Sequence, residues 1–574
     1  MTKSITTSAP TFNRMDRTSG VENLPPTTLY LAENMRFNRE GGVYTRDGIE
    51  KTATIGTSAK IDNMVTQAEF DAMFLKSGTG IYQSLDGENW YSIGVTRTAS
   101  ERDRFHYHDL DVFATNQTDA YLHIACSVAT VAIADTDTEI TVKNIDQFSA
   151  GGGTVYIRGD SITYTGTNTG NKQLTGVTGI ASGGHPVGSL ITETATPSGA
   201  PKGSAIAELE GSCLVGGTLD KPAVVYYGDA ATLANPELFY AFSGGASGSK
   251  LTSSSVTAIK ESAGVAIIGM KKGIDYAYGF DTTTNALLTR SLSRSKGIPN
   301  QECITIVDDL IVAYTGGNVI AISASVDTGA QIIEDKSDPR NNYDYEIAGE
   351  LVMADEDQSG SYIEYDDKRR EVTLSCSVNG TVKKYVKNKD TGAWTIDSGK
   401  PFGCVTYLNG QKYAGSASSD SVYKDNTGTT DDDIPIFHRM LTGITSIDQE
   451  LMTSENLMDV FGGLISGAGS FTHRIYVDGN KFYDKEFDSV YLQENGYMDV
   501  SAGVPIGAGE IGAETIGFGN TSPDTFRFTL PIEILLTGER IQREWEIFSQ
   551  GTQFELRKSR LVSETEGELE LTNS

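Results

Sequence analysis

Apolar and polar residues alternate along most of this chain, and short turns rich in Gly, Asn and Asp break the alternation. "FDAMFLKSGTGIYQSLDGENW" (Phe70–Trp90) reads as strand, Gly turn, strand and Asp-Gly turn, closing on a Trp. "DLIVAYTGGNVIAIS" (Asp309–Ser323) reads as strand, Gly-Gly turn, strand. "EVTLSCSVNGTVKKYVKNKDTGAWTI" (Glu371–Ile396) repeats the scheme with Asn-Gly and Thr-Gly turns. A period of two places successive side chains on opposite faces of a strand. Asn379-Gly380 between two such runs is a strong hairpin signal, because both residues tolerate the positive φ of a tight hairpin turn. Helical patterns are scarce, so the fold class predicted is all-β.

The strand centres also recur. From Phe74 to Phe113 is 39 residues, from Ile267 to Ile311 is 44, and from Thr373 to Tyr413 is 40. A spacing of ~40–50 residues with four short strands per unit is the signature of β-propeller blades. The pattern predicts five to seven blades, with a string of β-sandwiches as the alternative. One interval breaks the rhythm: Phe113 to Leu214 is 101 residues. Between them "TEITVKNIDQF", a Gly151–Gly153 turn, "TVYIRGDSITYTG" and "KQLTGVTGI" read as a small β-domain inserted in a blade loop, where insertions are best tolerated.

The organisation expected is therefore an arm and first strand over residues 1–60, propeller over 61–130 and 195–442, the insert over 131–194, and a further domain over 443–574. In the last, "HRIYVDGNKFYDKEF" and "RIQREWEIFSQGTQFELRKSRL" alternate strictly, which predicts a C-terminal β-sandwich. "DQELMTSENLMDVFGGLI" fits either a short helix or a buried strand.

Composition sharpens this only in places. The 574 residues include 62 Gly and 26 Tyr and carry a formal net charge of −30, which opposes binding to nucleic acid and to anionic membranes. No apolar run reaches the ~18 residues of a membrane helix, and the start "MTKSITTSAP" lacks the apolar core of a secretory signal. The five cysteines, Cys126, Cys213, Cys303, Cys376 and Cys404, are dispersed and odd in number, as expected of buried free thiols.

Candidate chemistry is thin. "FHYHD" sets His106 and His108 on one strand face, where Asp109 or His123 could help chelate a metal, but no third His lies at a motif spacing, so the expectation is a solvated or stacked pair. "DEDQSG" resembles the first half of a calcium loop, with Asp355, Asp357, Ser359 and, at the twelfth position, Asp366 where a bidentate Glu is usual; without flanking helices it reads as an acidic surface loop. "RGDS" (Arg158–Ser161) lies between two β-runs and reads as a hairpin element. There is no GxSxG, P-loop or HExxH signature. Neither catalysis nor a cofactor is expected.

The segment "LYLAENMRFNREGGVYTRDGIEKT" (Leu29–Thr52) is more decorated than a passive tail. Together with a propeller, the insert's Ile162–Gly166 core and the closing "GERIQREWEIFSQGTQFELRKSRL", it resembles the β-propeller tail nozzle, or tail stabilisation, proteins of short-tailed bacteriophages. Ala32, Glu33, Asn34, Arg36, Gly41, Gly42, Arg46 and Gly48 occupy that family's motif places, with Arg46-Asp47-Gly48 standing where Arg-Pro-Gly is usual. The resemblance implies a virion tail protein that forms a homo-oligomeric ring, usually a hexamer, around a channel for ejected DNA. It further implies contact with an adaptor and with tail fibres or spikes, and no membrane anchor. Six copies at −30 would carry −180 in formal charge, and an acidic wall suits a conduit through which a polyanion slides. Arg36, Phe37, Gly41, Gly42, Tyr44 and Arg46 are expected to form an inter-subunit arm, with Phe37 and Tyr44 as anchors on this or a neighbouring subunit. The competing readings are a tail-tip propeller that binds or degrades host glycans, favoured by two carboxyl groups roughly 5–10 Å apart in a sugar-sized cleft, a tail-tip protein of a long-tailed phage, and a cellular propeller scaffold.

Overall fold

Antiparallel sheets follow one another from Ile61 onward, and four of them are separate four-stranded sheets built in chain order. In this computed structural model most residues between Ser4 and Thr565 are described. Those left out comprise short stretches before residue 27, 38–42, 198, most of 230–246 and 334–345, 447–450, 463–469, most of 489–526, and shorter stretches beyond.

Blade 1 contains Ile61–Gln67, Ala72–Ser77, Gly80–Ser84 and Tyr91–Thr96. Blade 2 contains Arg104–His108, Asp111–Thr115, Leu122–Val128 and Leu190–Ala195. Blades 3, 4, 5 and 6 begin with Ala205–Leu209, Val256–Ser262, Ile304–Val307 and Tyr362–Asp366. Blade 7 supplies Phe402–Leu408, Gln411–Ser416 and Ser421–Asp425, and its fourth strand is Ile49–Thr54 from the other end of the chain. The described residues thus form a seven-bladed propeller. Each first strand packs on the first strand of the next blade, and blade 7 packs back on blade 1. Borrowing Ile49–Thr54 ties the ring shut through antiparallel pairing that sets Glu50 opposite Lys424.

The cores lie between blades, because a single sheet cannot bury both of its faces. Ile61, Met73, Leu75, Cys404, Leu408 and Val422 join blades 1 and 7. Phe74, Ile93, Val112, Ile124 and Cys126 join blades 1 and 2. Ala207, Leu214, Ile259 and Ile268 join blades 3 and 4. All five cysteines are buried free thiols.

The insert has its own core, built from Ile140, Phe148, Val155, Ile162, Leu174 and Ile191. Its hairpin Gly153–Ile157 and Asp160–Tyr164 extends the sheet of blade 2, because Gly153–Ile157 pairs with Leu190–Ala195. This corrects the expected boundary at 194. Leu190–Ala195 is the fourth strand of blade 2, in register with Leu122–Val128 from His123↔Ala195 to Val128↔Leu190.

The C-terminal sandwich is present and begins earlier than residue 443. Ile434–Thr442 already belongs to it, paired on one side with Arg540–Ser549 and on the other with Thr28–Glu33. Ser470–Val477 and Asn480–Asp488 continue that sheet. The second sheet pairs Leu451–Gly462 with Phe554–Thr565. The ambiguous "DQELMTSENLMDVFGGLI" is therefore a strand over Leu451–Gly462. Trp545, Phe471, Met440, Phe12, Leu29 and Phe37 belong to one core continuous with blades 5 and 6.

Candidate functional site: the clasp at the propeller seam

The segment that stood out in the sequence lies where blade 6, blade 7 and the sandwich meet. Thr28–Glu33 ends at Asn34, whose φ of 55° is left-handed, a conformation that Asn tolerates better than most residues. The turn lets Asn34 bond in three directions. Its amide N–H donates to the Ile396 carbonyl (2.7 Å). Its Oδ1 accepts from the Ser398 N–H and from Arg46 Nε, both at 2.8 Å. Its Nδ2 donates to the Phe437 carbonyl (2.7 Å), and its own carbonyl lies 2.6 Å from His438 Nδ1. Burial pushes His438 down to about 4. The ring is therefore neutral at physiological pH, and the bond to the carbonyl assigns its proton to Nδ1.

Two arginines lock this hub. Arg36, on Met35–Phe37, forms a two-point pair with Asp397 (2.7 and 2.8 Å) and donates Nε to Glu371 (2.9 Å). Burial alone would raise Asp397, but Arg36 and Lys400 outweigh it and hold the carboxyl well below its usual range. Arg46 forms a second two-point pair with Asp431 (2.9 and 2.5 Å) and donates to the Ser398 carbonyl (2.9 Å). A planar guanidinium matches a carboxylate at two points, which Lys does not. Beside them Asp425 takes Lys400 at 2.7 Å and Lys412 at 3.1 Å, and Lys412 also pairs with Glu364.

The remaining motif residues follow. A Cβ on Gly48 would sit 1.9 Å from the Thr430 carbonyl oxygen, so close backbone approach explains the glycine of Arg46-Asp47-Gly48. Asp47 pairs with Arg369 at 2.5 Å. Phe37 is buried in the core shared by propeller and sandwich. Val43–Thr45 pairs with Met35–Phe37, placing Tyr44 opposite Arg36, and also pairs with Phe554–Thr565.

Of the residues expected to form an inter-subunit arm, Arg36, Phe37, Tyr44 and Arg46 find partners for their charges and apolar groups within this chain. Gly41 and Gly42 lie outside the described residues.

The calcium candidates do not converge. Asp355 accepts from Ser377 Oγ and from the Gly380 N–H, and Asp357 accepts from the Ser359 N–H. Asp366 ends the strand Tyr362–Asp366 and receives the Arg369 N–H. Among the described residues no group of three or more His, Cys, Asp or Glu is arranged to hold a metal ion.

His106 and His108 do meet a carboxylate, Glu208 on blade 3. His108 Nδ1 is 2.8 Å away and His106 Nε2 is 3.8 Å away. His123 pairs instead with Asp111 (2.8 Å). Arg158 and Gly159 form the hairpin turn of the insert, both with positive φ. A polar link connects three blades: Glu302, just before blade 5, takes Arg104 of blade 2 (2.9 Å) and Asn63 of blade 1 (3.2 Å).

Sequence reasoning missed Glu371, Asp397, Asp431 and His438. They lie 335 to 404 residues from their partners, and no local pattern marks them. Chemically the clasp is a joint of paired charges.

Among the described residues no helix is long and apolar enough to cross a membrane. No known family model matches this chain. No curated protein matches it. Among solved structures it is similar to "Streptogramin B lyase structure" at 9% identity, covering 66% of this chain and 97% of that one, with a TM-score of 0.34. "Structure of Dos1 propeller" is similar at 10% identity, covering 66% and 95%, with a TM-score of 0.33. "Kluyveromyces lactis Hsv2" is similar at 9% identity, covering 60% and 98%, with a TM-score of 0.26.

Proposed function

We propose that this chain is a structural subunit of a bacteriophage tail. Copies of it form a ring, a nozzle segment that conducts DNA during ejection and carries other tail proteins. The observation that supports the reading most is the use made of the "AENMRF…VYTRDG" segment, on which the family resemblance rests. Asn34, Arg36, Arg46 and Gly48 fasten a closed propeller to a sandwich through buried two-point ion pairs, an arrangement suited to a subunit under mechanical load. The net charge of −30 suits a wall past which DNA slides.

In the glycan-degrading alternative a cleft of about 670 Å³ between blades 2 and 3 is the natural candidate. It has aromatic walls in Tyr226 and Phe242, and among its described lining residues Asp220 is the one carboxylate. Hydrolysis of a glycoside needs two. The structural reading is tested by electron microscopy and sedimentation of the purified protein with and without isolated tails. Rings with a central channel, located in the tail, are the expected result. A protein that stays monomeric and never enters the particle rules the reading out.

A further inference from the structure

A second cavity, of about 150 Å³, lies between the outer edge of blade 1, the insert and the start of the last strand of blade 2. Its lining divides into distinct chemical zones. Leu85, Val187 and Pro186 form an apolar rim, and both Leu85 and Val187 are exposed large hydrophobics. Gln83, at 2% exposure, lines it from the strand Gly80–Ser84, and its Oε1 is buried with no hydrogen-bond partner. A buried amide oxygen left without a donor carries an uncompensated desolvation penalty, which a ligand N–H relieves. Asp86 stands beside it. Its Oδ1 is occupied by the Glu88 and Asn89 N–H groups, and its Oδ2 receives Asn89 Nδ2, leaving Oδ2 able to accept one more donor. Arg158, from the hairpin turn of the insert, closes the far side. It donates Nη2 to Tyr91 Oη (3.2 Å) and lies 5.5 Å from the Tyr91 ring centroid. Its guanidinium has five N–H donors in all.

We propose that this cavity is a binding site for an acetamido group, as borne by N-acetylated amino sugars. The methyl group packs on Leu85, Pro186 and Val187, and the amide N–H donates to Gln83 Oε1. The carbonyl accepts from Arg158, and a ring hydroxyl donates to Asp86. The size agrees, since 150 Å³ takes a group of about six heavy atoms, enough for the acetamido group and the edge of one sugar ring. A plain hexose lacks the N–H and the methyl and leaves Gln83 unpaired. A sugar stacked face-on is disfavoured because Arg158 covers the ring of Tyr91, the aromatic residue in the lining. This site is independent of the tail reading: it requires only blade 1 and the insert.

The test is saturation-transfer NMR on the full chain with N-acetylglucosamine, with glucose and N-acetylvaline methylamide as comparison probes. Binding with a Kd of about 1 mM is expected for one sugar in a shallow site, with the acetyl methyl most strongly saturated and glucose unaffected. Gln83→Leu, which removes the unpaired amide while filling its space, should abolish the transfer. Arg158→Ala, an exposed change that leaves folding alone, should weaken binding about tenfold. No transfer to N-acetylglucosamine, equal transfer to glucose, binding of the peptide mimic in its place, or wild-type affinity in both variants overturns the assignment.

Discussion

Arg46 and Asp431 stand 385 residues apart in the chain and meet in a two-point ion pair, with the arginine side chain 1% exposed. The pair joins the segment just before the strand that closes blade 7 to the stretch that leads into the sandwich. A charge buried this deeply depends on its partner. Arg46→Ala leaves Asp431 facing an empty site and should destabilise by ~3–5 kcal/mol. Arg46→Lys keeps the charge but loses the two-point geometry and should fall between. Denaturant unfolding measures both, and an unchanged midpoint for Arg46→Ala would show that the pair is not a clasp.

Gly48 offers an independent probe of the same joint. A Cβ there meets the Thr430 carbonyl oxygen at 1.9 Å, whereas a Cβ on Gly151 meets nothing within 4 Å. Backbone cannot move aside as a flexible side chain does. Gly48→Ala should therefore destabilise by about 2 kcal/mol or more, and Gly151→Ala by less than about 0.5 kcal/mol. Equal melting temperatures for the two variants would contradict the close approach.

The contrast between these two glycines shows what was legible in the sequence. The all-β class, the blade period, the insert and the sandwich were readable because a period of two and Asn-Gly or Asp-Gly turns are local signals. The exact blade number was not, because blade 7 takes its fourth strand, Ile49–Thr54, from the other end of the chain. Turns such as Glu210-Gly211 and Ala263-Gly264 also adopt positive φ without Asn or Asp to announce them. The clasp was half legible. Arg36, Arg46 and Gly48 stood out, but a motif does not say which surface it binds, and their partners lie hundreds of residues away.

Two buried groups should give the stability curve opposite slopes on either side of neutrality. Glu346 is pushed up to about 7 by burial, with Lys387 and Arg14 only partly offsetting this. Between about pH 4.5 and 7 the folded state holds more protons at this site than the unfolded state, so stability falls as pH rises through that window, by about 3 kcal/mol in all. Lys384 is pushed down to about 7 by burial and by Lys400. From about pH 7 to 10.5 the unfolded state holds more protons there, so stability rises with pH. Unfolding free energies measured across pH should show that Glu346→Gln removes the first slope and Lys384→Met the second. Parallel curves for variants and wild type would refute both.

The boundary of the insert can be tested by excision. The Ala129 N–H donates to the Ser189 carbonyl (3.0 Å), and the Gly188 N–H donates to the Ala129 carbonyl (2.8 Å). The chain therefore enters and leaves the insert at adjacent points. Removing residues 131–187 and bridging with a short Gly-Ser linker should keep the propeller's cooperative melting transition. Removing residues 131–192 also takes Leu190–Thr192, which pair with Cys126–Val128, and should lower it markedly. If both deletions melt alike, Leu190–Ala195 is not an integral strand of blade 2.

The last prediction concerns the N-terminal segment as a whole. Were Leu29–Gly48 a tether to a neighbouring subunit, truncating residues 1–48 would give a folded monomer unable to assemble. The structure points to the opposite outcome. Leu29, Ala32, Met35, Phe37 and Val43 are all buried in the core that joins sandwich and propeller. Thr28–Glu33 is paired along Ile434–Thr442, and Val43–Thr45 is paired with Phe554–Thr565. Truncation strips these apolar groups and leaves Asp397, Glu371 and Asp431 without Arg36 and Arg46. Loss of even one such large side chain, as in Phe37→Ala, typically costs about 3–5 kcal/mol, comparable to the whole stability of many domains. The truncated chain should therefore show reduced β-structure by circular dichroism and aggregate in the analytical ultracentrifuge. Phe37→Ala in the full chain should melt lower yet retain whatever assembly the wild type shows. A soluble, fully folded truncation product that fails only to assemble would return these residues to an inter-subunit role.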